Sequence, residues 1–234
     1  MLHHIYEQII IIPYRNRKAH LDIFINNAVP LFRKYLSPFK VVVVEQSDDG
    51  RLFNRGKILN VGFNEYKDKT KHIFTHDVDI CPKDRCVSQL YNKIYSTDIM
   101  GIYTSYWDTL GGIIRLDVDT FEHINGYPNT YWGWGAEDKA LQNRAETYGK
   151  TISKNMLSND PNRYDYFTIY DDIKDNVHND DFEFRQMFEY EFFQQLGHDS
   201  KVRCCRSSGL NNLEYTVIDR YDLDIDVDYI MVKI

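Results

Sequence analysis

Two pairs of acidic residues can do chemistry, because each follows a stretch able to hold it in place. In Lys71-His-Ile-Phe-Thr-His-Asp-Val-Asp-Ile-Cys-Pro82 an apolar run ends on Asp77 and Asp79, two residues apart. Side chains at i and i+2 of a strand share a face, so the pair can converge on one point near the strand's end. A hard divalent cation held by such oxygens keeps open positions for substrate phosphates. Spacing alone does not select this pair: Asp-x-Asp recurs at Asp117 and Asp119 and along Asp222, Asp224, Asp226 and Asp228. A solvated strand end is the alternative. The second pair, Glu137 and Asp138, follows Asn125-Gly-Tyr-Pro-Asn-Thr-Tyr-Trp-Gly-Trp-Gly-Ala136. Tryptophan can stack on a sugar face, glycines can hinge a loop, and an acid at the next helix start can work as a base. A packed aromatic turn with Asp138 as a helix cap is the competing reading.

The elements that must position these groups read as alternating strands and helices. Gln8-Ile-Ile-Ile-Ile-Pro13 and Phe39-Lys-Val-Val-Val-Val44 are continuous apolar runs rich in β-branched residues, suited to buried strands of a parallel sheet. Between them Leu21, Phe24, Ile25, Ala28, Leu31 and Phe32 recur at helical spacing, which predicts an amphipathic helix over 18–35, bent at Pro30. Strand, helix and strand make a βαβ unit. A helical pattern through Ile58, Leu59, Gly62 and Phe63 follows, with Asn54 as its cap, and then a strand over 72–75. Loops leaving the carboxyl ends of parallel strands are the usual ligand edge of an open α/β sheet. Arg15, Arg17, Arg55, Asp77 and Asp79 are expected there, as a phosphate-and-metal site. A helix over 87–95 and strands over 99–103 and 111–116 come next, the last entered through Gly111 and Gly112, where backbone can approach a ligand closely. Asp119-Thr-Phe-Glu122 matches a capping box, which assigns the second Asp-x-Asp to a helix start. Residues 160–198 read largely as an extended loop, and the tail 221–230 as one edge strand with a solvated acidic face.

A chain of 234 residues with 43% hydrophobic and 27% charged residues is globular in usage, and one domain is expected. No apolar run approaches the roughly 18 residues that span a bilayer, and Met1-Leu-His-His does not open a signal peptide. With Met1 as the native start, a soluble, cytoplasmic protein is expected. A net charge of -7 argues against a general nucleic-acid binder. Cys81, Cys86, Cys204 and Cys205 are taken as reduced, with a Cys81–Cys86 bridge as the alternative.

Ile12-Pro-Tyr-Arg-Asn-Arg17, Phe53-Asn-Arg-Gly-Lys-Ile-Leu-Asn-Val-Gly-Phe63, His76-Asp-Val-Asp79, Gly111-Gly112, Asn125-Gly-Tyr-Pro-Asn129 and Tyr131-Trp-Gly-Trp-Gly-Ala-Glu-Asp138 resemble, in this order, motifs of the β-1,4-galactosyltransferase family. Ser208-Gly-Leu-Asn-Asn-Leu213 resembles a segment near that family's C-terminal end, so the resemblance spans about residues 8 to 215. It implies an α/β fold of the GT-A (Rossmann-like) type with a mostly parallel central sheet and a mobile tryptophan loop. It implies one domain over 1–234, with a nucleotide and metal half at 8–110 and a sugar half at 111–215. The implied reaction is inverting transfer of a hexose, galactose or N-acetylgalactosamine, from a UDP-sugar to a glycan hydroxyl, with Mn²⁺ or Mg²⁺.

Residue by residue, the resemblance places Pro13, Tyr14, Arg15 and Arg17 in the loop that binds uridine diphosphate, and Phe53 and Arg55 at a second nucleotide contact. Asp77, Val78 and Gly112 fall to the donor and Asp79 to the metal. Trp134 matches the tryptophan that closes over donor and acceptor sugars, Glu137 a sugar-binding carboxylate, and Asp138 the general base. A metal histidine is implied at His178, in His178-Asn-Asp-Asp181, with His198 as the alternative. The chain departs from the pattern at three places. Thr109-Leu110 precede Gly111 where an aromatic residue is usual, which leaves the donor open between galactose and an N-acetylhexosamine. Lys139 replaces an acid that contacts an acceptor N-acetyl group, which argues against GlcNAc as acceptor. Asp175 replaces a methionine ligand, and a carboxylate there favours Mg²⁺. A sugar- or UDP-binding module without turnover and a UDP-sugar hydrolase are the other readings.

Overall fold

In the computed structural model, residues 5–104, 109–133, 135–155, 161–170 and 191–234 are described. Strand β1 (Gln8–Tyr14) is buried at every position, as four successive isoleucines allow when both faces of a sheet are covered. It pairs in parallel with β2 (Phe39–Gln46) on one side and β3 (His72–His76) on the other. Helix α1 (Lys18–Tyr35) crosses over between β1 and β2. Its buried stripe of Leu21, Phe24, Ala28 and Phe32 packs with Ile10, Ile12, Val41 and Val43. Helix α2 (Arg55–Tyr66) covers the opposite face, where Ile58, Leu59 and Phe63 join Ile9, Ile11, Val42 and Val44. Alternate residues of the same apolar run thus feed two cores. The predicted cap is present: Asn54 Oδ1 accepts the Lys57 backbone N–H at 2.9 Å.

The remaining strands are β4 (Ile80–Pro82), β5 (Ile99–Tyr103), β6 (Ile113–Asp117), β7 (Ile152–Lys154), β8 (Phe167–Ile169), β9 (Thr216–Asp224) and β10 (Val227–Lys233). An eight-stranded sheet runs β7-β5-β6-β3-β1-β2-β10-β9, and β4 and β8 form a separate ribbon. Pairing is parallel for β1 with β2 and β3, β2 with β10, and β5 with β7. It is antiparallel where β6 meets β3 and β5 and where β9 meets β10. This is the expected α/β architecture with a mostly parallel sheet. No helix among the described residues is long and apolar enough to cross a membrane, and all four cysteines are free, without the Cys81–Cys86 bridge.

Four sequence expectations need correction. The tail is a hairpin rather than one strand: β9 stops at Asp224, the chain turns at Ile225 and Asp226, and β10 returns between β9 and β2. Of the two tail strands β9 is the exposed edge, while Val227, Ile230 and Val232 of β10 are wholly buried. Asp228 is not solvated, since Lys40 Nζ donates to it at 2.7 Å. The helix expected over 87–95 begins earlier, as α3 (Asp84–Cys86), and its wide continuation stops at Tyr91. Asp117, not Asp119, stands at the N-cap of α4 (Val118–His123), and its carboxylate meets His72 Nδ1 at 2.6 Å instead of capping the helix. Within the expected loop after 160, α6 (Arg163–Tyr166) leads into β8, which pairs with β4.

Gly62 is what lets α2 lie close on the sheet. A Cβ there would stand 2.4 Å from Ile11 Cγ2 and 3.0 Å from Val44 Cγ2. Gly62→Ala gains about 1 kcal/mol in helix propensity but overpacks central strands, at a cost of about 1–3 kcal/mol. Because Ile11 sits on a strand paired on both sides, the cost is expected to win, lowering the denaturant midpoint by the equivalent of about 1 kcal/mol, and at most about 2 kcal/mol, of stability. An unchanged or raised midpoint would show that the helix can retreat.

Candidate active site

The loops at the carboxyl ends of β1, β2 and β3 border a cleft of about 490 Å³. Pro13, Arg15 and Arg17 line it from the first loop, Phe53 from the second, Arg55 from the first turn of α2, and Asp77, Val78 and Asp79 from the third. Glu137 and Asp138 enter from the first turn of α5 (Glu137–Thr147). Tyr14 and Gly112 are not part of this lining. Tyr14 is buried at the end of β1, where burial and then the charge of Glu45 push its hydroxyl pKa up. Gly112 O accepts the Asp77 backbone N–H at 3.1 Å and so anchors the carboxylate loop. Asn16, Leu52 and Gly133 also line the cleft and were not singled out from the sequence. Asn16 has a left-handed backbone, φ 52°, which asparagine tolerates better than most residues, and that is the signal its position carried.

Trp134, Asp175 and His178 lie outside the described residues. His198 opens helix α7 (His198–Ser207) and borders a separate hollow of about 230 Å³ with Asn143 and Lys201, away from the cleft lining.

One guanidinium organises the acids. Arg55 Nε donates to Asp77 Oδ1 at 2.7 Å and Nη1 to Asp138 Oδ1 at 2.8 Å, with Glu137 Oε1 3.5 Å from Nη1. The Arg55 side chain is only 12% exposed, and its Nη2 is buried without a hydrogen-bond partner among the described residues. A second pair, Arg17 Nη1 to Asp79 Oδ2 at 2.8 Å, closes the other side. His76 Nδ1 lies 2.8 Å from the Asp77 carbonyl oxygen, and burial drives its imidazole pKa down to about 4, so the ring is neutral.

The backbone before Glu137 turns sharply: Gly133, Gly135 and Ala136 have φ of 84°, 112° and 65°. Ala136 is the N-cap of α5, so Asp138 sits inside the first turn and is not the cap. Two acids there are favoured by the helix dipole. A Cβ at Gly111 would stand 2.5 Å from Asp138 Oδ2, so only glycine leaves that oxygen its place.

Asn125–Asn129 and Ser208–Leu213, separate motifs in the sequence, form one knot in space. Asn129 Nδ2 donates to Gly209 O at 2.7 Å, and Asn125 Nδ2 to Asn211 Oδ1 at 2.9 Å. Buried Arg144 of α5 donates to the carbonyls of Asn125, Gly126 and Ser208, at 2.8, 2.9 and 2.5 Å. From α2, Asn60 Nδ2 donates to Tyr127 O at 2.7 Å. The helix carrying Arg55 and the helix carrying Asp138 are therefore fixed through the same loop.

Among the described residues no group of three or more His, Cys, Asp or Glu side chains is placed to hold a metal ion. Asp77 and Asp79 nevertheless suit a hard cation. Burial first, and then the neighbouring Asp77 charge, raise the Asp79 pKa, a strain that a bound cation relieves and that Arg17 partly relieves here.

A family profile described as the N-terminal region of glycosyl transferase group 7 matches residues 3–92, and one described as the N-terminal domain of galactosyltransferase matches residues 94–169. The chain is 34% identical to β-1,4-galactosyltransferase 1 of Mus musculus over 223 residues, covering 92% of this chain and 52% of that protein. The Homo sapiens counterpart gives 34% over 224 residues, with the same coverage. The chain thus spans about half the length of these curated relatives. Its fold is similar to the catalytic domain of Drosophila β-1,4-galactosyltransferase 7 in complex with xylobiose, with TM-score 0.73 and 23% identity over 98% of this chain and 94% of that one. A mutant of the same Drosophila protein, in complex with manganese, UDP-Gal and xylobiose, gives TM-score 0.70 and 24% identity over the same shares. The likeness shows the fold, which is GT-A.

Protonation in the cleft divides unequally. Burial, and then the Asp138 charge, push Glu137 up to about 8 against the opposing pull of Arg55. Burial also raises Asp138, but Arg55 bonds it directly and opposes the rise. Arg55 itself is held well above its usual value: burial works against its charge, and Asp138 and Asp77 outweigh burial. For Glu137, a folded pKa of about 8 against the ordinary carboxyl value of 4.5 means its contribution to stability is complete below the lower value and lost as pH rises through the higher one. Glu137→Gln is therefore expected to gain thermal stability relative to the native sequence between about pH 5 and about pH 8.5. Parallel melting curves with a constant difference across that range would contradict the buried, protonated carboxyl.

Proposed function

The chain belongs to the glycosyl transferase group 7 family, that of the β-1,4-galactosyltransferases, and from this premise we propose that it is an inverting UDP-sugar glycosyltransferase. It moves a hexose, galactose or N-acetylgalactosamine, onto a hydroxyl of a glycan acceptor. The observation that carries the reading is the Arg55 cluster, which keeps a buried carboxylate, Asp138, paired in a cleft whose other end holds Arg15 and Arg17. In this reading Arg15 and Arg17 take the diphosphate, and Phe53, with Pro13 and Tyr14 behind it, shapes the uridine end. Residues 8–110 bind nucleotide and metal and 111–215 bind the sugars, the two meeting where β6 pairs with β3.

Asp138 accepts the proton of the acceptor hydroxyl as the oxygen attacks the anomeric carbon on the face opposite UDP. The bond from that carbon to the diphosphate oxygen breaks in the same step, so an α-linked donor gives a β-glycoside. Arg55 opposes the burial that raises the Asp138 pKa and orients the carboxyl through Oδ1, leaving Oδ2, beside Gly111, as the basic atom. Glu137, largely protonated near neutrality, offers a hydrogen bond to a sugar hydroxyl. The family resemblance assigns Trp134 to the sugars. Asp79, supported by Asp77 and His178, would hold Mn²⁺ or Mg²⁺, which when bound supplies Lewis-acid stabilisation of the departing diphosphate. Asp175 in place of a methionine favours the harder ion.

UDP release from UDP-Gal, UDP-GalNAc, UDP-Glc and UDP-GlcNAc, measured with Mn²⁺ or Mg²⁺ and with or without simple sugar acceptors, tests this. Release is expected to require a divalent cation, to be supported by Mg²⁺ as well as Mn²⁺, and to rise with an acceptor. Asp138→Asn is expected to lower transfer about 10²–10⁴-fold while UDP binding persists in calorimetry. UDP release without glycoside would mark a hydrolase, UDP binding without release a binding module, and full transfer by Asp138→Asn would remove the base.

A further inference from the structure

Arg51 is absent from the cleft lining, yet it touches the two parts that a nucleotide-sugar site has to coordinate. Its backbone oxygen accepts a hydrogen bond from Arg15 Nη1 at 2.8 Å, and Arg15 lies over the Phe53 ring, 5.5 Å from the centroid. Its guanidinium carbon lies 4.7 Å from the centroid of Trp132, within range of cation–π attraction. The next residue, Gly133, donates its N–H to Phe53 O at 2.8 Å, so the tryptophan loop is held to the β2–α2 connection at two successive residues.

That connection is itself tightly held. Gln46, wholly buried at the end of β2, donates to Leu52 O at 3.0 Å and accepts the Asn54 N–H at 2.8 Å. Asp49 accepts Arg51 Nε at 2.7 Å through Oδ2 and the Arg51 backbone N–H at 3.1 Å through Oδ1. Arg51 Nη2 donates to the carbonyl oxygen of Ile234. A long, half-exposed arginine would ordinarily sample many rotamers; two partners, Asp49 and Ile234, restrict this one, so its position over Trp132 is specified.

The geometry points to Arg51 as a positioning residue that couples occupancy of the arginine end of the cleft by a nucleoside diphosphate to the placement of Trp132. The inference rests on the nucleotide reading of the cleft. A diphosphate drawn to Arg15 acts on the guanidinium that the Arg51 carbonyl holds. The Arg51 side chain passes the displacement to Trp132, in the turn that feeds Glu137 and Asp138. Linkage requires the effect to be reciprocal, so Trp132 placement also alters diphosphate affinity.

The test uses the full chain labelled with fluorotryptophan, the Trp132 fluorine resonance being assigned by Trp132→Phe, and titrates UDP in the presence of Mn²⁺ with affinity measured in parallel by calorimetry. In the native sequence UDP is expected to shift the Trp132 resonance. In Arg51→Ala the resonance is expected to start from a different position and to stay there when UDP binds, with UDP affinity changed by no more than about fivefold. Arg51→Lys should keep part of the response, since it retains a cation but loses the fork that Asp49 and Ile234 hold. A Trp132 resonance that bound UDP leaves unmoved, or that responds equally in Arg51→Ala, overturns the coupling. Failure of the native sequence to bind UDP at all would instead remove the nucleotide reading, and this inference with it.

Discussion

A guanidinium enclosed by three carboxylates is the constraint on which the cleft depends. Asp77, from the loop after β3, and Glu137 and Asp138, from the first turn of α5, would repel one another in a site that water reaches poorly. Bringing one ion out of water costs several kcal/mol, and a lone buried carboxylate would respond by taking up a proton. Arg55 changes that outcome selectively. It bonds Asp77 and Asp138 at hydrogen-bond distance and leaves Glu137 farther off, so it opposes the rise that burial gives Asp138 more directly than the one that pushes Glu137 toward neutrality. Two adjacent carboxyls thereby differ in how readily they give up a proton, from environment alone.

For a single arginine to do this, two helices have to meet with little tolerance. Glycines make the approach possible: Gly62 lets α2 settle on β1 and β2, and Gly56 packs its first turn against Tyr127, where a Cβ would stand 3.0 Å from Tyr127 Cβ. The loop 125–129 then ties the helices together through Asn60 on one side and Arg144 on the other. Arg144 shows how position overrides charge. It is buried with backbone carbonyls as its hydrogen-bond partners, and burial lowers its pKa, yet its fork bridges three oxygens from two separate segments, Asn125 and Gly126 on one side and Ser208 on the other.

The sequence disclosed the fold wherever burial was two-sided. Ile9 to Ile12 and Val41 to Val44 can only be interior strands, and their spacing around an amphipathic helix forces the βαβ order. It failed where local pattern and tertiary contact diverge. Alternation of acidic and apolar residues runs unbroken through Ile225 and Asp226, with no glycine, asparagine or proline to mark a turn, so two strands read as one. Asp119 and Glu122 satisfy a capping pattern, yet the helix starts at Val118. In the site, the motifs named most of the cleft lining, but not how those residues interact. Arg55 is 22 residues from Asp77 and 83 from Asp138, so no spacing rule could pair them. Arg51 was invisible for the same reason, since its meaning lies in Trp132 and Ile234.

In the proposed single displacement one buried carboxylate acts once, as a base, and no residue attacks the sugar. The most direct measurement is the anomeric configuration of the first-formed product, read by proton NMR from the coupling at the transferred sugar's anomeric position, starting from an α-linked UDP-sugar. A β-glycoside is the predicted result. An α-glycoside would mean that the configuration is retained, and a base at Asp138 working in one step could not produce it.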